Sequence, residues 1–354
     1  MSFLGLLRET AHAAMACCLP VQTLHINGRT FKVTKLLGEG GFSVVYLVQD
    51  VATTRLYACK KIYCPDGSDS VKEALKEAET YRKFTHPNII RILDVCVVQG
   101  RDGSKTVYIF LPYYRHGTLE DILPPRDSGS SGESGPTERS ILRMFRGVAY
   151  AVRALHDHEL PEVPARRADS LDEGYAMELE ERDVDPEGAE RHVAYAHRDI
   201  KPGNVLIADD GMTPILMDFG SMQKARIHIR TRQQGLYEQE KAAAECSMAY
   251  RAPELFDIKT GSRLDERVDI WSLGCLLYAQ AYGESPFDTQ LNQQGGSVAM
   301  AVQNGRWSFP PGHTGYSKGF QDLIRFMLVV EPRERPSIHQ VIDRLDALLL
   351  QSSS

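Results

Sequence analysis

The chain has 354 residues, 42% apolar and 25% charged, with a formal net charge of −6. That is enough apolar material for one large domain or two lobes, and the acidic balance argues against nucleic acid as a partner. Seven cysteines without a CxxC pair or a Cys/His group at zinc spacing point to reduced thiols in a reducing compartment, which disfavours a disulfide framework or a structural metal.

No apolar run approaches the roughly 20 residues that span a bilayer. The opening "MSFLGLLRET" lacks a basic leader, and Arg8 and Glu9 interrupt its apolar run, so a cytosolic chain is expected. From Leu24 to Tyr63 short runs alternate apolar and polar residues, and Asn27-Gly28 in "LHINGRTFKV" predicts a type I′ hairpin. "SVKEALKEAETYRKF" predicts a helix whose inner face holds Val71, Leu75, Ala78 and Tyr81 or Arg82. "TVYIFLPYY" predicts an apolar strand, and "RDSGSSGESG" a flexible connection without structure. In "SILRMFRGVAYAVRALH" an apolar stripe of Ile141, Phe145, Val148, Val152 and Leu155 predicts an amphipathic helix. From about 158 to 193 the chain is acidic and broken by Pro and Gly, which predicts an exposed, disordered insertion. Further helices are predicted in "VDIWSLGCLLYAQAYG" and in "SIHQVIDRLDALLL", the latter capped by Ser337.

Several stretches carry chemistry. Gly38, Gly40 and Gly41 in "LLGEGGFSVVYLV" lie between two strand-like runs, where glycines let backbone N–H groups approach phosphate oxygens or simply shape a tight hairpin. Lys60 and Lys61 in "LYACKKIY" occupy a strand; alternation turns one inward, where it needs an anion such as Glu77, whereas a lone strand lysine is otherwise a solvated edge. In "YAHRDIKPGNVLI" and "PILMDFGS", Asp199, Asn204 and Asp218 are oxygen donors of the kind Mg²⁺ takes, with Lys201 able to neutralise a moving phosphoryl group. Loop Asp and Asn residues also cap turns, but the ordered set HRDxKxxN then DFG is hard to reach by turn chemistry alone.

At these residues the sequence resembles the eukaryotic protein kinases. The resemblance implies an α+β, bilobal kinase fold with a β-rich N-lobe at about 23–112 and an α-helical C-lobe at about 116–349, ATP held between them. Residues 350–354 form a tail. By resemblance, Gly38, Gly40 and Gly41 form the flap over the phosphates, with Ser43 where a third glycine is usual. Lys60 holds the α- and β-phosphates, fixed by Glu77; Asp199 is the catalytic base; Lys201 is the cation on the transferred group; Asn204 and Asp218 ligate Mg²⁺ or Mn²⁺. Leu111 is the gatekeeper, Pro112 and Tyr114 offer adenine a carbonyl and an N–H, and Leu37, Val45, Ala58 and Leu206 complete the ATP set. Glu254 of "YRAPELF" pairs with Arg335, and Asp269 braces the catalytic loop.

Lys201 and Ser247 follow the serine/threonine pattern, which implies protein Ser and Thr hydroxyls as substrates, the chain itself among them. A pseudokinase scaffold or a small-molecule kinase are the alternative readings; the complete residue set argues against the first and the APE motif against the second. Arg198 could pair with a phosphorylated residue of the activation segment. The closer resemblance is to the Numb-associated kinase group, carried by "FTHPNIIRILD", "LPYYRHGTLED", "LMDFGSMQKARIHI" and "SMAYRAPELFD", and implies an extra helix within "GLYEQEKAAAECSMAYRAPEL". Its nearest branch is the small kinase with an acylated N-terminus that acts at Golgi and vacuolar membranes. That branch implies that residues 1–22 are a targeting segment with Cys17 and Cys18 palmitoylated, since Ser2 excludes myristoylation. The implied location is the cytoplasmic face of an endomembrane, vacuole or Golgi, with a cytosolic share.

Overall fold

The computed structural model describes residues 23–39, 43–65, 68–100, 103–125, 136–159, 192–289, 296–310 and 315–351. They fall into two compact units, Met1–Lys83 with Ile90–Tyr113, and Phe84–Ile89 with Tyr114–Ser354. Cys17, Cys18, Gly40, Gly41, the Gly/Ser run at 126–135 and the acidic residues 160–191 lie outside the described residues.

The first unit is built on six strands, β1 (Thr23–Ile26), β2 (Arg29–Glu39), β3 (Ser43–Asp50), β4 (Leu56–Cys64), β5 (Asp94–Gln99) and β6 (Lys105–Pro112). They run in the order β1-β2-β3-β4-β6-β5, every neighbouring pair antiparallel. Asn27 and Gly28 turn β1 into β2 with φ of 49° and 71°, the two positive values that a type I′ turn requires. One face of the sheet buries Ile26, Phe31, Val48, Cys59, Tyr108 and Phe110. Helix α1 (Ser68–Lys83) packs on β4 and β6. It buries Val71, Ala74, Ala78 and Tyr81. Leu75, expected on that face, is only half-buried; the small Ala74 lets the helix sit close to the sheet, and Arg82 stays in water.

The second unit is mainly helical. Thr137 caps α2 (Glu138–His156) by accepting from the Ser140 N–H at 3.2 Å, and the whole predicted stripe from Ile141 to Leu155 is buried. Short strands follow: β7 (Tyr195–Ala196), the hairpin of β8 (Val205–Ile207) and β9 (Pro214–Leu216), β10 (Gln223–Lys224), which pairs with β7, and β11 (Ile227–His228), which pairs with β12 (Arg263–Leu264). Between β11 and β12 lies α3 (Arg232–Glu245). The helix-prone stretch around it is thus helical from Arg232, where Thr231 supplies the cap, and stops at Glu245, where Arg251 Nη2 draws off the Cys246 carbonyl at 2.8 Å. Helix α4 (Arg267–Tyr282) is buried on every side from Val268 onward. It contacts α2 and α6 (Lys318–Met327); α5 (Val298–Gln303) and α7 (Ile338–Gln351) complete the unit, α7 lying on α2 and α6. Ser337 and Gln340 exchange hydrogen bonds at the start of α7, a capping box.

The edges of the predicted insertion are ordered. Val193 N–H donates to His158 O at 2.9 Å, Glu159 pairs with His192, and the His158 ring lies 4.8 Å from Phe84 and 5.5 Å from Tyr195. Aromatic packing and backbone pairing hold these four residues despite their polar neighbours in sequence. Among the described residues no helix is long and apolar enough to cross a membrane.

Candidate active site

In the first unit, β4 lies between β3 and β6, with Lys60 opposite Val45 on one side and Ile109 on the other. The lysine Nζ lies 2.6 Å from Glu77 Oε1 on α1, both side chains largely buried. The Tyr81 hydroxyl, one turn along the helix, donates to the same carboxylate oxygen at 3.4 Å. Gly38 stands opposite Val45, and Ala58 opposite Leu47 and Leu111. Leu111 is buried, Pro112 half-buried and Leu37 exposed.

In the second unit, β7 delivers the chain to a loop that ends in the 3-10 turn Pro202–Asn204. Asp199 is the hub. Its Oδ2 lies 2.8 Å from Lys201 Nζ and accepts from Asn204 Nδ2 at 2.9 Å, while its Oδ1 accepts from the Ser247 N–H at 2.8 Å. Lys201 Nζ also donates to Ser247 Oγ at 2.7 Å, and Asn204 Nδ2 to the Asp199 carbonyl at 2.8 Å. Burial would raise the Asp199 pKa; the Lys201 and Ser247 contacts outweigh it and hold the carboxyl below the ordinary range.

The loop backbone is fixed from behind. Asp269, wholly buried near the start of α4, accepts from the His197 and Arg198 N–H groups at 2.8 Å each and from His156 Nε2 at 3.0 Å. This lets Arg198 hold a φ of 69°, a conformation that non-glycine residues rarely adopt. Met217 N–H donates to the Asn204 carbonyl at 2.9 Å, which places Asp218, with φ of 65°, next after the residue bonded to the loop. Phe219 is buried against His197 and Phe84, with ring centroids 5.5 and 6.3 Å away. Leu206 pairs with Ile215, and Tyr114 is half-buried. Further along, Arg335 Nη1 and Nη2 donate to Glu254 Oε1 and Oε2 at 2.8 and 3.0 Å.

The two units therefore hold separate halves of the predicted set. Lys60 meets Glu77 in one; Asp199, Lys201, Asn204 and Ser247 meet in the other, where Asp269 bonds the loop backbone and Glu254 pairs with Arg335. Sequence reasoning passed over two residues. His156 ends the apolar stripe of α2 four residues after Val152, and Glu238, which pairs with Arg198, stands between Gly235 and Ala242 at helical spacing. A buried polar position inside a 3-4 pattern is the signal for both.

An antiparallel sheet with a strand lysine held by a helix glutamate, together with a helical unit whose HRD loop is bonded to the residue preceding DFG, defines a protein kinase. The protein kinase domain model matches residues 31–161 and 192–345, and the chain belongs to that family. It is 36% identical to the serine/threonine-protein kinase ENV7 of Saccharomyces cerevisiae, across 94% of this chain and 96% of that one. Serine/threonine-protein kinase ppk13 of Schizosaccharomyces pombe is also 36% identical, over 92% of each chain, and serine/threonine-protein kinase 16 of Homo sapiens 36%, over 95% of each. This chain is a serine/threonine protein kinase and uses ATP with a divalent cation.

Proposed function

We propose that Asp199 is the base of phosphoryl transfer to Ser or Thr hydroxyls of protein substrates, and that the hydrogen-bonded group of Asp199, Lys201, Asn204 and Ser247 is what the reaction is built on. That group carries the reading. An ionised Asp199 accepts the substrate hydroxyl proton as the oxygen attacks the γ-phosphorus and the bond to the β-phosphate oxygen breaks. Lys201 offsets the charge on the group in transit. Asn204 commits its NH₂ to Asp199, which leaves its carbonyl oxygen as a hard donor; with the Asp218 carboxylate it forms a two-oxygen set suited to Mg²⁺ or Mn²⁺ that takes its other ligands from phosphate and water. Such a cation, when bound, neutralises the phosphate oxygens.

Lys60, aimed by Glu77, is assigned to the α- and β-phosphates, and Gly38, Gly40 and Gly41 to the flap above them. Leu37, Val45, Ala58, Leu111, Pro112, Tyr114 and Leu206 are assigned to the rest of ATP. Glu254, Arg335 and Asp269 hold the scaffold. The kinase domain is taken to run from 23 to 349.

Itself is a further substrate by this reading, and S-acylated Cys17 and Cys18 hold the kinase at the cytoplasmic face of a vacuolar or Golgi membrane, with a cytosolic share. Adjacency of the two thiols supports dual acylation, since one chain anchors only marginally. The five described cysteines favour it too, because four are buried and Cys96 is half-buried, poor positions for a lipid.

The kinase assignment is tested by transfer of labelled phosphate from ATP to a Ser/Thr peptide by the native chain and by Asp199→Asn. Native turnover that falls by about a thousandfold in the variant supports it; equal rates refute Asp199 as base. Membrane attachment is tested by hydroxylamine-sensitive acyl exchange and fractionation of the native chain and the Cys17→Ser, Cys18→Ser variant in a eukaryotic cell. A thioester and a membrane pool that both vanish in the variant support anchoring, and a native chain without either refutes it.

A further inference from the structure

Helix α2 buries one face through its apolar stripe, and a second face carries Arg139, Arg143 and Arg146, spaced four and three residues apart. Side chains at that spacing stack on one side of a helix, and like charges there repel, so the row does nothing for the stability of α2 itself. With Asp346, Leu349 and Leu350 of α7 these arginines line a cavity of about 380 Å³, within the roughly 300–1,000 Å³ of small-ligand sites. The lining thus holds three guanidiniums, one carboxylate and two leucines.

The carboxylate is already taken. Asp346 Oδ1 lies 2.7 Å from Arg146 Nε, and its Oδ2 accepts from the Tyr150 hydroxyl at 3.3 Å, which in turn accepts from Arg146 Nη2 at 2.8 Å. Glu138, the acid at the start of α2, is turned to Ser317, accepting from its N–H and its hydroxyl at 2.6 and 2.8 Å. Arg143 is exposed and makes no hydrogen bond or ion pair among the described residues. The chain as a whole carries a charge of −6, so an anion is drawn here by the local cluster, whose field reaches about 8 Å at physiological salt, and not by the molecule at large.

The leucines narrow the kind of anion. Leu350 is 74% exposed, a large apolar side chain left in water beside the arginines. A purely hydrophilic anion would leave it wet, whereas one that carries hydrocarbon covers it. Guanidinium forks grip a phosphate through paired hydrogen bonds that an ammonium does not match.

We propose that this cavity binds the phosphomonoester headgroup of a membrane lipid, with Arg143 on the phosphate between Arg139 and Arg146, and Leu349 and Leu350 against the acyl region. The site shares no residue with the phosphoryl-transfer group, and it rests neither on Asp199 as base nor on acylation of Cys17 and Cys18.

The test uses the full chain made in bacteria, where neither cysteine is acylated. Co-sedimentation is measured with phosphatidylcholine vesicles, with the same vesicles doped with a phosphatidylinositol monophosphate, and with vesicles doped with phosphatidylserine to equal charge. Binding to the inositol lipid is expected to be about tenfold tighter than to the other two surfaces. Arg143→Gln is expected to weaken it about 10- to 100-fold, with melting temperature and peptide kcat unchanged. Leu350→Ser is expected to weaken vesicle binding about fivefold while leaving binding of soluble inositol monophosphate, read by calorimetry, as it was. Native affinity in Arg143→Gln overturns the proposal, as does a native chain that binds none of these vesicles. Equal binding to the phosphatidylserine vesicles would mean diffuse attraction and overturns it too. Soluble inositol monophosphate or a phosphoserine peptide bound as tightly as the vesicles, with Leu350→Ser indifferent, would make a soluble phosphate ester or a phosphoprotein the ligand and overturns the lipid. A chain that binds the inositol lipid as expected but transfers no phosphate fails the kinase reading and leaves this one standing.

Discussion

Asp269 has no exposed surface, yet accepts two backbone N–H groups and a histidine. Burial alone would push its carboxyl up; His156, His197 and the Arg198 amide win and hold it below the ordinary range. Because the folded value is depressed, the folded state binds fewer protons. Its stabilisation is fully present above the unfolded value near 3.9 and is lost as pH falls through the folded value. Replacement Asp269→Asn turns an NH₂ toward one of the donors and is expected to cost about 2–4 kcal/mol in urea unfolding at pH 7. The gap to the native chain should narrow progressively below pH 4; a gap independent of pH would remove the charge from the explanation. Arg335→Lys belongs to the same scale. The buried guanidinium grips Glu254 by two hydrogen bonds and also donates to the carbonyls of Val329 and Arg267, a fork that one ammonium cannot reproduce. Thermal unfolding should show a loss of about 3 kcal/mol, and a stability equal to native would mean that the pair is dispensable. Asp269 and the Glu254–Arg335 pair meet their partners across 71 and 81 residues, so only the resemblance to the kinase family pointed to them. Glu238 lies in none of the motifs that carry that resemblance, and its contact with Arg198, 40 residues earlier, forms only once α3 has docked.

Elements were legible in proportion to how one-sided they are. The stripe of α2 and the Asn27-Gly28 turn announce themselves because each face has a single solvent. Helix α4 was expected from "VDIWSLGCLLYAQAYG" and is there, although it is buried on every side and has no polar face to give its period. Helix α3 is the opposite case, docked through a glycine, a glutamate and an alanine, so hydrophobic periodicity could not mark where it starts or ends. Its docking is testable at Gly235. Alanine there should favour the helix by about 1 kcal/mol on propensity alone, but its Cβ would press on the Ile258 carbonyl oxygen, which is backbone and cannot swing aside. Gly235→Ala is therefore expected to lower both melting temperature and kcat. Ser337→Ala, which removes only the cap of α7, should cost about 1 kcal/mol and leave kcat intact. If Gly235→Ala instead stabilises the protein, α3 is not seated against Ile258.

For the chain as a whole, the sequence marked an acidic stretch from about 158 to 193 as inserted material, and the family match is interrupted between 161 and 192. Its edges were misjudged because composition averages over neighbours, whereas His158 is held by two aromatic rings and Glu159 and His192 by backbone pairing. That pairing makes a sharp prediction. Glu159 and His192 already face each other as antiparallel neighbours, so an Asn-Gly turn can replace 160–191 without disturbing α2 or β7. Each halving of a loop saves about 0.6 kcal/mol of closure entropy, and about four halvings give roughly 2 kcal/mol in favour of the shortened chain. In the described structure Asp199, Lys201, Asn204 and Ser247 hydrogen-bond to one another. The shortened kinase should therefore match or exceed the native melting temperature and keep kcat within about twofold on a short peptide. Peptide turnover that collapses while the protein stays folded would mean that the acidic stretch takes part in the reaction, and the interruption in the match would then mark a functional addition to the kinase fold.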